Sequence, residues 1–269
     1  MPYPDRQELL NRVYHKQRGR ALSNLAIAEL AFLEYPNHKT AICTLSKTTT
    51  PDVVVVYTYG GLTPHHFYYQ EDGTIMDKTF PPYQQFTWEW IHHWLDNNVA
   101  VTILDVPDYF TANGIGWVSS FYRMSADRRR ESLQAIDLLA NKFPDAKLTW
   151  FGISYGVGDA VNISLVDSRL HKIAMASGCW HVLNNLDMFH QGQRLDEYDV
   201  TNSKTPVLII QHEKEVWEKA QDQMSKTESL LVTNNVSEDD GHFFRKRQQE
   251  VVTAICDWFR DKPVPKIIP

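Results

Sequence analysis

Leu148-Thr149-Trp150-Phe151-Gly152-Ile153-Ser154-Tyr155-Gly156-Val157-Gly158-Asp159-Ala160 decides how this chain is read. Apolar β-forming residues run into Gly-x-Ser-x-Gly, and the small residues that follow suit a helix start. The spacing has a mechanical cause. A serine on a sharp strand-to-helix turn projects its Oγ outward, and residues two positions to either side must be small or side chains collide. Such a turn also opens a helix, whose first N–H groups face any negative charge formed beside the serine. The plain alternative is a glycine-rich strand–helix joint with a bystander serine.

Outward from this turn, short apolar runs recur. Val53 to Tyr57 is five β-formers in a row, and Val99 to Leu104, Ile173 to Ala176 and Val207 to Ile210 are similar, with a weaker run at Leu230 to Val232. Unbroken apolar runs of this length suit strands buried on both faces. Helical periodicity lies between them. Glu131 to Phe143 sets Leu133, Ile136, Leu139, Ala140 and Phe143 on one face, and Phe243 to Phe259 does the same with Phe244, Val251, Val252, Ile255, Trp258 and Phe259. The alternation predicts an α/β fold with a mostly parallel sheet covered on both sides. In such sheets the reactive groups lie just past the carboxyl ends of the strands.

The flanks read differently. Leu9, Leu10, Val13 and Tyr14 recur at helix spacing and predict a helical extension over 1–20. Asn24 to Glu34 fits helix or strand by periodicity, but the Pro36-Asn37-His38 turn before Thr40 to Leu45 favours a hairpin. The tail, 262–269, reads as extended and outside the core. Residues 1–269 are expected to form a single domain, a common size for one α/β unit.

Composition narrows the classes. Hydrophobic residues make up 43% and charged residues 22%, as in ordinary globular chains. A net charge of -6 is a poor match for a phosphate backbone, so no nucleic-acid partner is expected. The one basic run, Arg128-Arg129-Arg130, is followed by Glu131 and reads as a solvated helix start. No stretch approaches the roughly 20 apolar residues of a membrane span. The N-terminus carries no apolar signal-peptide core. Three widely spaced cysteines, Cys43, Cys179 and Cys256, speak against a disulfide framework and make the cytoplasm the expected compartment. The histidine pairs 65–66 and 92–93 lack further ligands at metal spacing, so no metal is expected.

With these motifs in place the sequence resembles the α/β-hydrolase fold family from about residue 25 to 260. The resemblance implies a three-layer fold with an eight-stranded-type sheet, a small or absent cap, and Ser154 as nucleophile. Gly241-His242-Phe243, before the last helix, looks like the family's base position. After Pro206 to Ile210 comes Gln211-His212-Glu213-Lys214-Glu215, where the family usually carries His-Gly-x-x-Asp. In that register His212 replaces the glycine and Glu215 the acid, with Glu213 and Glu218 as alternatives. Tyr59-Gly60-Gly61-Leu62 resembles the His-Gly-Gly segment, with Tyr59 in place of histidine. Gly61 N–H, or Leu62 N–H, and Tyr155 N–H are the expected oxyanion donors. Gly60 and Leu62, with Trp180 at the start of the segment where relatives insert a cap, are the expected substrate contacts. Any lid over 180–204 is short. Asp105 and Gly114 to Ser119 resemble a further family segment, stretched by an insertion.

The aromatic residues from His65 to Trp90 suit either pocket or core, and the i, i+4 spacing of Trp90 and Trp94 favours core. The implied chemistry is hydrolysis of a carboxylic ester or thioester of a small to medium acyl substrate through an acyl-enzyme, with no cofactor. The same framework also serves acyltransferases, amidases, peptidases and lyases. A ligand-binding relative without turnover is a third reading, prompted by Tyr59, His212 and Glu215. Oligomeric state is not written in the sequence.

Overall fold

The computed structural model describes residues 25–36, 38–59, 67–69, 71, 75–77, 83–107, 120–123, 125–177, 203, 205–212, 214, 217–218, 228–232, 244 and 246–268. The hairpin reading holds: β1 (Ile27–Tyr35) pairs antiparallel with β2 (His38–Ser46) along its whole length. The apolar runs become β3 (Val53–Thr58), β6 (Ala100–Pro107), β7 (Lys147–Ile153), β8 (Lys172–Ala176), β9 (Val207–Gln211) and β10 (Glu228–Val232). A two-stranded ribbon, β4 (Phe67–Tyr69) with β5 (Ile75–Asp77), stands apart from the main sheet. With β11 (Ile267–Ile268) at its far edge, the main sheet has nine strands in the order β1-β2-β6-β3-β7-β8-β9-β10-β11, and all its pairings from β6 to that edge are parallel.

The ninth strand is the one departure from the expected tail. Ile267–Ile268 forms β11 against β10, and Ile268 belongs to the core. Two β-branched residues meeting a free strand edge explain the capture.

Side-chain alternation divides the core into two layers. Val53, Val55 and Tyr57 of β3 face one cluster, with Trp90, Ile91, Trp94 and Leu95 of α1 (Tyr83–Asp96) and the apolar face of α5 (Gln248–Phe259). Val54 and Val56 face the other, with Ala135, Ile136 and Leu139 of α3 (Ala126–Lys142) and Val161 of α4 (Val157–Ser164). Trp90 and Trp94 are thus core residues, as their spacing favoured. A short α2 (Ser120–Arg123) precedes α3. No helix among the described residues is long and apolar enough to cross a membrane.

Candidate active site

The serine turn is a strand-to-helix elbow. β7 ends at Ile153, Ser154–Gly156 makes a single 3-10 turn, and α4 starts at Val157. Ser154 has φ 54°, a left-handed conformation that an L-residue holds only when its surroundings impose it. The two glycines explain how. A Cβ on Gly152 would lie 2.4 Å from the Gly156 carbonyl oxygen, and one on Gly156 would lie 2.1 Å from that of Thr58. The elbow therefore closes on itself and presses against the end of β3. Thr58 Oγ1 donates to the Gly156 carbonyl at 3.0 Å, and Trp150 Nε1 donates to Thr58 Oγ1 at 3.0 Å.

The elbow lies at the carboxyl edge of the sheet, in its middle. Thr58 of β3 is opposite Gly152 of β7, and Ile153 is opposite Ala176 of β8. Strand ends on the same edge carry Ser177, also at positive φ, and Gln211, the last residue of β9, with His212 just after it. The His212 ring meets Phe244 edge-on at 6.1 Å between centroids, and Phe244 in turn meets Trp90 at 6.3 Å. So the segment after β9 and the segment just beyond position 242 touch. Glu218, in the helical turn after β9, is exposed and pairs with Lys214 at 3.5 Å.

Beneath the elbow lies a buried ion network that sequence reasoning missed. The basic run is not solvated: Arg128 is fully buried, with only Arg130 of the three exposed. Arg128 Nε and Nη2 donate to the two carboxylate oxygens of Asp159 in α4 at 3.0 and 3.1 Å, and Nη1 donates to Glu131 at 3.0 Å. Arg123 Nη1 donates to Asp159 at 2.5 Å, and its Nη2 donates to the Tyr59 carbonyl at 3.0 Å. Burial opposes the charge on Arg128, but Asp159, Tyr122 and Glu131 outweigh it and raise its pKa further. Removing one partner from such a buried pair costs about 3–5 kcal/mol. The available signal was Asp159 itself, a carboxylate among Val157, Ala160 and Val161 in a buried helix turn, which required a cation.

Tyr59 also finds its explanation here. Its side chain points into the protein, where Oη donates to Asp105 at 2.6 Å and the ring stands 5.8 Å from the Arg123 guanidinium. Of the expected site residues, the structure describes Ser154 and Tyr155. His242, Glu215, Gly60, Gly61, Leu62 and Trp180 lie outside the described residues, as do Glu213, residues 1–20, 114–119 and all of 180–204 except Ser203.

This strand order, with an antiparallel hairpin at one edge and the elbow after the central strand, defines the α/β-hydrolase fold. Solved structures agree. The chain superposes on an arylesterase with a TM-score of 0.58 at 12% identity, covering 95% of this chain and 91% of that one. It superposes on a carboxyl esterase from Bacillus coagulans with a TM-score of 0.57 at 11% identity, over 87% and 98%. A dienelactone hydrolase from Anabaena variabilis gives 0.56 at 13% identity, over 88% and 98%. No family model matches the sequence, and no curated protein does. The protein therefore has the α/β-hydrolase fold, at a sequence distance where likeness carries the fold alone.

Proposed function

We propose that the protein is a serine hydrolase that cleaves a carboxylic ester or thioester of a small to medium molecule. One observation carries the reading: Ser154 is held at positive φ on an elbow that only Gly152 and Gly156 permit. A bystander serine needs no such backbone. Ser154 Oγ attacks the acyl carbonyl while His242 accepts its proton. The oxyanion is held by Tyr155 N–H, at the start of α4, and by Gly61 N–H. Collapse expels the alcohol or thiol, which takes the proton from His242. Water then attacks the acyl-enzyme by the same route.

Glu215 orients the imidazole and stabilises its charged form. The contact between His212 and Phe244 supports this pairing, since it joins the chain near the acid to the chain near the base. Exposure and the Lys214 pairing make Glu218 a poorer acid. Gly60, Leu62 and Trp180 would then border the acyl group.

A panel of nitrophenyl esters and acyl thioesters of varied chain length tests the reading. Turnover by the wild type, lost on Ser154→Ala and His242→Ala and reduced on Glu215→Ala, is expected. A folded wild type that turns over no member contradicts it. Product partitioning on adding an alcohol or amine separates hydrolysis from acyl transfer.

A further inference from the structure

Thr58, the last residue of β3, is fully buried and meets the serine elbow at both of its glycines. Its backbone is in register with Gly152. Its carbonyl oxygen fills the space that a Cβ on Gly156 would need. Its hydroxyl donates to the Gly156 carbonyl at 3.0 Å. The direction of that last bond is forced. An indole N–H can only donate, and Trp150 Nε1 donates to Thr58 Oγ1 at 3.0 Å. The hydroxyl then has one proton to give. Gly156 takes it at 3.0 Å, against 3.5 Å to the Phe151 carbonyl.

We propose that Thr58 is a positioning residue for Ser154, holding the elbow through its hydroxyl at a fixed distance from β3. The inference rests on the hydrolase reading above. The link to Ser154 is one peptide long. A peptide unit is planar, so the Gly156 carbonyl and the Val157 N–H move together. That N–H donates to the carbonyls of Ser154 and Tyr155. The Thr58 hydroxyl thus grips one side of a peptide whose other side grips Ser154, where φ is 54°. Such a backbone persists only when its surroundings over-determine it. Packing alone does not call for threonine here. Valine fills four of the six positions of β3, and it has the same branched shape and suits a buried strand. What threonine adds is the hydroxyl, and the elbow is where its proton goes. A reacting group displaced by about 1 Å loses on the order of a hundredfold in rate.

The test uses Thr58→Val, which keeps the shape and loses the hydroxyl, and Thr58→Ser, which keeps the hydroxyl and loses a methyl group. Thr58→Ala joins them, because its smaller side chain leaves room for water to reach Trp150 and Gly156 if Thr58→Val does not fold. Circular dichroism and thermal melting check each. Each is assayed well below its melting temperature with nitrophenyl butyrate and for its rate of labelling by a fluorophosphonate. The proposal expects kcat to fall about tenfold or more in Thr58→Val and Thr58→Ala, with KM changed less than about twofold. The labelling rate falls with kcat, and Thr58→Ser keeps both within about threefold of the wild type. A merely structural threonine would lower the melting temperature and leave kcat and labelling rate unchanged. Wild-type kcat and labelling rate in a folded Thr58→Val or Thr58→Ala overturn the proposal alone, and so does a Thr58→Ser as slow as Thr58→Ala. A wild type that takes neither ester nor label overturns the hydrolase reading and, with it, the role given to Thr58.

Discussion

A single methyl group on Gly156 would sit 2.1 Å from the Thr58 carbonyl oxygen and 2.6 Å from its carbon. Those atoms are backbone within the central sheet and cannot swing aside. Gly156→Ala must therefore push the elbow away from β3, breaking the Thr58 contact and moving Ser154 relative to the proposed oxyanion donors. The account predicts at least about a hundredfold loss of esterase turnover, the scale of losing an oxyanion donor, with a lowered melting temperature. Steady-state kinetics beside a thermal melt checks both. The Ser154 elbow was legible because steric necessity writes glycine at fixed offsets. The role of Tyr59 was not, because a tyrosine in a glycine-rich segment looks the same whether it faces a pocket or a buried aspartate.

At the scale of elements, α3 is anchored by Ser125, whose side chain accepts from the Arg128 N–H at 3.1 Å. The same serine's carbonyl accepts from Asn162 of α4 at 3.0 Å, and the turn thereby sets the approach of α3 to the helix that follows Ser154. Ser125→Ala keeps the carbonyl and loses the cap. It is predicted to lower unfolding free energy by about 1 kcal/mol, measured by urea denaturation, with turnover little changed. Strands and amphipathic helices could be read from the sequence because each carries its own periodicity. The arginine run could not. Arg128 is buried by Asp159, a partner 31 residues away, and local charge density alone suggested solvent. The two-residue β11 is likewise too short to carry a pattern of its own.

For the whole molecule, pH links single groups to global stability. Burial holds the pKa of His93, at the end of α1, below its ordinary 6.5, against the opposing pull of Asp96 and Glu89. Between that lowered value and 6.5 the unfolded chain binds more protons, so stability rises with pH there and is lost as pH falls. A hydrogen bond from Arg260 lowers the pKa of Asp52 below 3.8, and one from Lys47 does the same for Asp96. Those carboxylates contribute stability above about pH 4 that disappears as pH falls through their lowered values. Melting temperature should thus drop in two stages on acidification. His93→Gln should flatten the upper stage, which lies just below pH 6.5, and leave the lower one in place. An unchanged slope in that variant would remove His93 from the explanation.

The parallel sheet and the position of the elbow were legible across the molecule because unbroken apolar runs alternating with amphipathic helices leave few architectures open. The proposed pairing of Glu215 with His242 was not, since neither residue carries a local sign of a partner so far away in the sequence. The central claim remains that Ser154 is an activated nucleophile. Labelling with a fluorophosphonate, followed by peptide mass mapping, tests it most directly. The account predicts one phosphonyl group, on Ser154, abolished by Ser154→Ala and by His242→Ala. A folded protein that takes no label, or takes it on another residue, would contradict it.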